Sequence, residues 1–296
     1  HLSIRRQRQM CIRDRYMTRL LSGLPERQLY KRPASSRSIS YRRQDPATTD
    51  AAKPTLVFLH GNNGSSKSWH YQFRHFTAFS VISIDAPGFG ESSVFEGGIA
   101  GFADELDSML SDLEVASFWL VGHSMGGMVA QILAALSGER CSGLVLSCTY
   151  KGRCKAEDEP LPEEVEKRVQ ERLRLDDQAF GTLRVERMLS RELPPEQQAF
   201  LASIAGEIRV EGVRWGGGAI QYVDTTPYLD RIRVPTLILS AANDIVVKPD
   251  ALKALIAGLP DARHVEMAGV GHAPYCEDAD TFNRTVEQFI ISHTNT

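Results

Sequence analysis

A serine hydroxyl attacks a carbonyl only when it is held clear of the fold and supplied with a base. The run Gly122-His123-Ser124-Met125-Gly126 meets the first condition. The apolar stretch Phe118–Val121 before it reads as a strand, and Gly127–Leu136 after it reads as a helix. Ser124 is therefore expected on a strand–turn–helix elbow, with its hydroxyl exposed above the sheet edge. Gly122 and Gly126 let strand and helix approach without Cβ clashes. His123 is expected to pack or hydrogen-bond beside the nucleophile rather than reach its hydroxyl.

Eight histidines compete for the role of base, and placement selects His272. It lies in Gly269-Val270-Gly271-His272-Ala273-Pro274, directly after the last predicted strand and on the same edge as Ser124. Asp244 closes Leu237–Asp244 after the preceding strand, where it can orient the imidazole. The strand Leu144–Ser147 is followed by Cys148-Thr149-Tyr150, which offers no competing carboxylate. An oxyanion needs N–H donors aimed at it. Met125 offers one at the helix start. The loop His60-Gly61-Asn62-Asn63-Gly64, after the strand Thr55–Leu59, offers the other, from Asn62 or alternatively Asn63. His60 and Gly61 shape that turn. The loop has neither of the glycine spacings that cradle phosphates.

Short apolar runs at Thr55–Leu59, Val81–Ile84, Phe118–Val121, Leu144–Ser147, Pro235–Ser240 and His264–Met267 suit strands buried on both faces. A further strand falls near Ser36–Arg43. Helical patterns at 102–113, 125–136, 249–257 and 280–292 separate most of them. The alternation implies an α/β fold with a mainly parallel central sheet and helices on both faces. Ligands in such sheets bind beyond the carboxyl ends of the strands. Between Ser147 and Pro235 the strand signal stops. Helical stretches at Pro160–Leu175, Asp176–Leu193 and Pro195–Val213 read as an inserted helical cap over 148–225, flanked by core segments 17–147 and 226–296. Gly216-Gly217-Gly218 reads as a flexible joint. The charges of Pro160–Leu175, Arg168 among them, read as a solvated helix face. Phe180, Leu183, Met188, Leu189, Phe200, Leu201 and Ile204 read as packing within the cap, with some lining a substrate cavity.

An apolar content of 42% with 24% charged residues suits a soluble globular chain. No apolar run approaches the roughly 20 residues that span a bilayer. The five cysteines show no C-x-x-C spacing, so reduced thiols, a cytoplasmic setting and no structural metal are expected. Residues 1–43 carry twelve Lys/Arg against two Asp/Glu, a basic arm of the kind that binds nucleic acid or anionic lipid. However, Met10-Cys11-Ile12-Arg13-Asp14-Arg15 matches what a transposase sequencing adapter would encode. Residues 1–16 are therefore expected to be non-native, with Met17 the natural start. Neither a nucleic-acid partner nor a membrane partner is expected. Oligomeric state is not legible.

From about residue 36 onward the chain resembles the α/β-hydrolase fold superfamily. The likeness rests on His60-Gly61, Asp85-Ala86-Pro87-Gly88-Phe89-Gly90-Glu91-Ser92, Gly122-His123-Ser124-Met125-Gly126-Gly127, Asn243-Asp244 and Gly271-His272. The second of these looks like a structural turn, with Ser92 a hydrogen-bonding support. Ser124-Met125-Gly126-Gly127-Met128 and the stretch Gly271–Asp278 look like 3-oxoadipate enol-lactonases and small carboxylesterases. They are also similar to meta-cleavage C–C hydrolases and cofactor-free haloperoxidases. A serine at the elbow, where haloalkane dehalogenases and epoxide hydrolases use aspartate, separates the chain from those two groups. The resemblance implies a cofactor-free serine hydrolase that cleaves a small-molecule ester or lactone through an acyl-enzyme on Ser124. The alternatives are a C–C bond hydrolase and a non-catalytic ligand-binding protein, whose usual mark is a broken triad.

Overall fold

A computed structural model describes residues 23–33, 36–47, 53–190 and 192–294 of the chain. The expected non-native segment 1–16 and Met17 lie outside the described residues. Eight strands form one sheet: β1 (Arg27–Lys31), β2 (Ser38–Gln44), β3 (Thr55–Leu59), β4 (Val81–Ile84), β5 (Phe118–His123), β6 (Cys141–Ser147), β7 (Thr236–Ala241) and β8 (Arg263–Met267). Their spatial order is β1-β2-β4-β3-β5-β6-β7-β8. The pairings of β2 with β1 and β4 are antiparallel, and all others are parallel. The fold is α/β with a mainly parallel sheet, as the sequence pattern implies.

Helices α1 (His70–His75), α2 (Gly98–Asp112) and α3 (Met125–Leu136) connect strands within the core. Between β6 and β7 lie α4 (Glu163–Arg174), α5 (Asp177–Glu186), α6 (Pro195–Gly206), α7 (Val210–Tyr222) and the short α8 (Thr226–Leu229). Then come α9 (Pro249–Gly258), α10 (Pro274–Glu277) and α11 (Ala279–Thr294). Strands β4 and β5 are buried along their whole length, because helices cover both faces of the sheet. One apolar cluster joins Leu106 and Met109 of α2 to Ile132 and Leu133 of α3. The other joins Trp69 and Phe73 to Phe282 and Phe289 of α11. Among the described residues no helix is long and apolar enough to cross a membrane.

The topology also fixes where a site can form. Strand β3 has β4 on one side and β5 on the other, so the chain departs in opposite directions from the ends of β3 and β5. A crevice opens at such a reversal. Leu59 stands beside Gly122 in the register, which brings the loop His60–Gly64 and Ser124 out side by side.

One strand left no sequence signal, and two expectations are corrected. Strand β1 had no apolar signal, since Arg-Gln-Leu-Tyr-Lys buries only Tyr30; it is an edge strand, where exposed charges discourage further pairing. The stretch Pro195–Val213 is two helices, because Arg209 leaves helical geometry and donates to the carbonyls of Gly88 and Ser92. Gly216-Gly217-Gly218 is not a flexible joint but lies inside α7. A Cβ on Gly216 would come 2.0 Å from Asn62 Oδ1, and one on Gly217 would come 2.5 Å from Val165 Cγ1. These glycines serve close packing.

Candidate active site

Ser124 has φ 51° and ψ −117°, a conformation that costs a non-glycine residue on the order of 1–3 kcal/mol. Its surroundings hold it there. The Ser124 N–H donates to Ser147 O at 2.9 Å. The Thr149 hydroxyl donates to Ser124 O at 2.6 Å, and the Gly127 N–H does so at 2.9 Å. An added Cβ would come within 2.5 Å of Gly126 O at Gly122, and within 2.2 Å of Leu59 O at Gly126. The elbow is wedged between β3 and β5 in a way only glycines permit.

His272 Nε2 lies 3.1 Å from Ser124 Oγ. Its Nδ1 lies 2.9 Å from Asp244 Oδ2 and 3.1 Å from Oδ1. Asp244 Oδ1 also accepts the N–H groups of Val246 and Val247, at 2.8 and 3.1 Å. Burial alone would raise the Asp244 carboxyl, but the His272 hydrogen bond and charge, with those two N–H groups, outweigh it and hold the carboxyl below its ordinary range. All three side chains are largely removed from solvent. The structure thus brings together three residues drawn from the ends of β5, β7 and β8.

The loop after β3 is a tight turn closed by Gly64 N–H to Gly61 O at 2.8 Å, with Asn62 and Asn63 at its corner. His60 braces it. Its Nδ1 bonds Gly61 O at 2.8 Å, and its Nε2 accepts the Ala86 N–H at 3.0 Å. That pair of bonds requires the neutral ring protonated on Nδ1, and burial pushes His60 below its ordinary value. The N–H groups of Asn62 and Met125 have no acceptor among the described residues. Gly61 leaves room for His123, whose Cδ2 would lie 3.0 Å from a Cβ there. The His123 ring packs 4.9 Å from the rings of His272 and Tyr275; burial, then the charge of His272, holds it well below its ordinary value. Ser92 stands back from the site, donating to Asp85 O at 2.7 Å and accepting the Ser40 N–H at 2.9 Å.

A family model described as alpha/beta hydrolase fold matches residues 54–279. The chain belongs to the α/β-hydrolase fold family. Over 102 residues, a third of its length, it is 37% identical to the 2-succinyl-6-hydroxy-2,4-cyclohexadiene-1-carboxylate synthase of Citrobacter koseri. The match covers 40% of that relative. An esterase from Thermogutta terrifontis superposes with a TM-score of 0.75 at 26% identity, covering 91% of this chain and 100% of the other. The enol-lactonase from Burkholderia xenovorans LB400 superposes with a TM-score of 0.73 at 24% identity, covering 87% and 98%; at that identity the likeness speaks for the fold.

Some residues of this α/β hydrolase escaped the sequence reading. The buried carboxylate of Glu277 accepts the N–H groups of Gly271 and Ala273, each at 2.9 Å, and so brackets His272. Its signal was the closing stretch Gly271–Asp278, read there only as a likeness. Cys148 has φ 45° and packs its thiol beside Asp244. Burial, then the Asp244 charge, raises that thiol well above its ordinary value. Cys148, Asp244 and His272 offer potential metal-ligand atoms within 4.8 Å of one another, but both His272 nitrogens already face Asp244 and Ser124, so an ion there would compete with those hydrogen bonds. Finally, the solvated-face reading fails for Arg168, whose Nε is buried without a partner. Arg184 on α5 is buried as well and donates to Asn63 Oδ1 at 3.2 Å. Burial, then the cations of Arg168 and Arg187, pushes the Arg184 guanidinium down to about 9.

Proposed function

We propose that this α/β hydrolase cleaves a carboxylic ester or lactone through an acyl-enzyme on Ser124. The observation that carries the reading is the unbroken relay from Ser124 Oγ through His272, at 3.1 Å, to Asp244, at 2.9 Å, joined to the strained backbone of Ser124. His272 takes the hydroxyl proton as Oγ adds to the carbonyl, then returns it to the leaving alcohol. Asp244 orients the ring and stabilises the imidazolium. The N–H groups of Asn62 and Met125 receive the oxyanion, where each donor is worth about 10²–10³ in rate. Water, deprotonated by His272, then releases the acid. Helices α4 to α7 serve as a cap, a role supported by the contacts of Asn63 with Arg184 and Met188.

A fluorophosphonate probe should label the wild-type chain and fail on Ser124→Ala; labelling that survives the substitution refutes the assignment. A relative over a third of the chain is named a synthase and not a hydrolase, so relatives differ in the bond they act on, and a second reading keeps the same relay but has it act on a C–C bond. Comparing 4-nitrophenyl esters and lactones with ring-fission dienones separates the two.

A further inference from the structure

Arg184 reaches from α5 into the seam between the inserted helices and the corner of the Asn62-Asn63 loop. A buried guanidinium is ordinarily matched by a carboxylate, because an uncompensated charge is costly out of water. Among the described residues Arg184 has no such match. Its Nε donates to a neutral amide oxygen, that of Asn63. The charged groups around it are Arg168 and Arg187, which repel it, and Glu171, which attracts it. Glu171 is already taken by Arg187, whose Nη1 lies 2.9 and 2.8 Å from its two oxygens. Arg168 adds a second guanidinium whose Nε is buried and unpartnered. The seam beside the Asn62-Asn63 loop therefore carries positive charge that the described residues leave unmatched.

We propose that Arg184, assisted by Arg168, binds a carboxylate carried by the substrate, so that the esters or lactones accepted here are acidic ones. This rests on the reading of Ser124 as the nucleophile. A planar carboxylate matches the guanidinium fork in two parallel hydrogen bonds. The Arg184–Asn63 hydrogen bond sets that anchor one residue from Asn62, so binding the carboxylate also steadies the loop assigned to the oxyanion. Substrate charge thus couples to the geometry of the reacting centre.

The test compares charged and neutral partners of one shape. Mono-(4-nitrophenyl) glutarate against 4-nitrophenyl pentanoate places the carboxylate on the acyl side; 4-acetoxybenzoate against 4-acetoxybenzamide places it on the alcohol side. The wild-type chain should favour the charged member of one pair roughly tenfold or more in kcat/KM, and Arg184→Met should cut that ratio at least tenfold. Arg168→Met should cut it less, and it supplies the readout if Arg184→Met does not fold. Glutarate should also slow fluorophosphonate labelling of wild-type Ser124, and the neutral glutaramide should not. No charged preference in either pair, an unchanged ratio in the folded variants, or equal protection by glutaramide overturns the carboxylate site. Labelling of Ser124 without charged preference overturns this site alone, whereas absence of labelling overturns the reading on which it rests.

Discussion

The carboxamide oxygen of Asn62 rests against the bare Cα of Gly216, so that a methyl group there would come within 2.0 Å of it. A helix inserted after β6 is thereby keyed to the loop after β3. Gly216→Ala is expected to push Asn62 aside, at an overpacking cost of about 1–3 kcal/mol. Ester turnover should fall roughly tenfold or more, with folding retained by circular dichroism, because one N–H assigned to the oxyanion moves with the loop. Unchanged kcat would show that Asn62 can shift without consequence, leaving Asn63 as the donor.

Glu277 brackets His272 through the two N–H groups that flank it. Glu277→Gln keeps the shape and loses the charge, and hydrogen bonds to charged groups contribute about 1.5–3 kcal/mol. A drop in kcat of roughly 10-fold to 100-fold is expected, with a smaller change in KM, since on the proposed mechanism the loop serves to aim His272. Steady-state kinetics on one ester reads this directly.

Asp244→Asn should reduce kcat by about 10⁴-fold, because the amide favours the wrong imidazole tautomer. It should also alter the acid limb of stability. Asp244 titrates below its unfolded value in the folded chain. The stability it contributes is therefore complete above its unfolded value of about 3.9 and is lost as pH falls through the lower folded value. Thermal unfolding across pH 2–7 should show a wild-type advantage at neutral pH that narrows below about pH 4. An advantage independent of pH would mean the carboxylate contributes through packing alone.

Thr149→Val removes the hydroxyl that donates to the Ser124 carbonyl at 2.6 Å while keeping its bulk against Gly127. A stability loss of about 1–2 kcal/mol is expected, or a fall in Tm of about 2–8 °C by calorimetry for a chain of this size. The labelling rate of Ser124 should fall too, because the strained backbone loses one of its restraints.

The geometry of the candidate site was legible because it rests on local, repeated signals. Buried parallel strands are continuous apolar runs, and each chemical residue follows the end of one, so counting strand ends was enough to place Ser124, Asp244 and His272. What escaped depends on three-dimensional neighbours. Arg168 and Arg184 lie among other charged residues, and only burial in the fold, with the bond of Arg184 to Asn63, distinguishes them from solvated arginines. Gly216 and Gly217 read as a joint because glycine spells freedom in a sequence, whereas here it admits Asn62 and Val165. Strand β1 was hidden because an edge strand that buries one side chain leaves no periodic trace.

The hydrogen bond between Ser124 and His272 spans 148 residues of chain. Contacts of such separation carry a large loop-closure entropy and form late in folding. The elbow, its glycines and β5 can assemble from neighbouring segments, but His272 arrives only when the last strand docks beyond β7. During refolding, helix content should therefore return before activity, and a nascent chain released short of β8 would carry the strained Ser124 elbow without its hydrogen-bond partner. On the proposed mechanism, activity doubles as a report that β8 has docked.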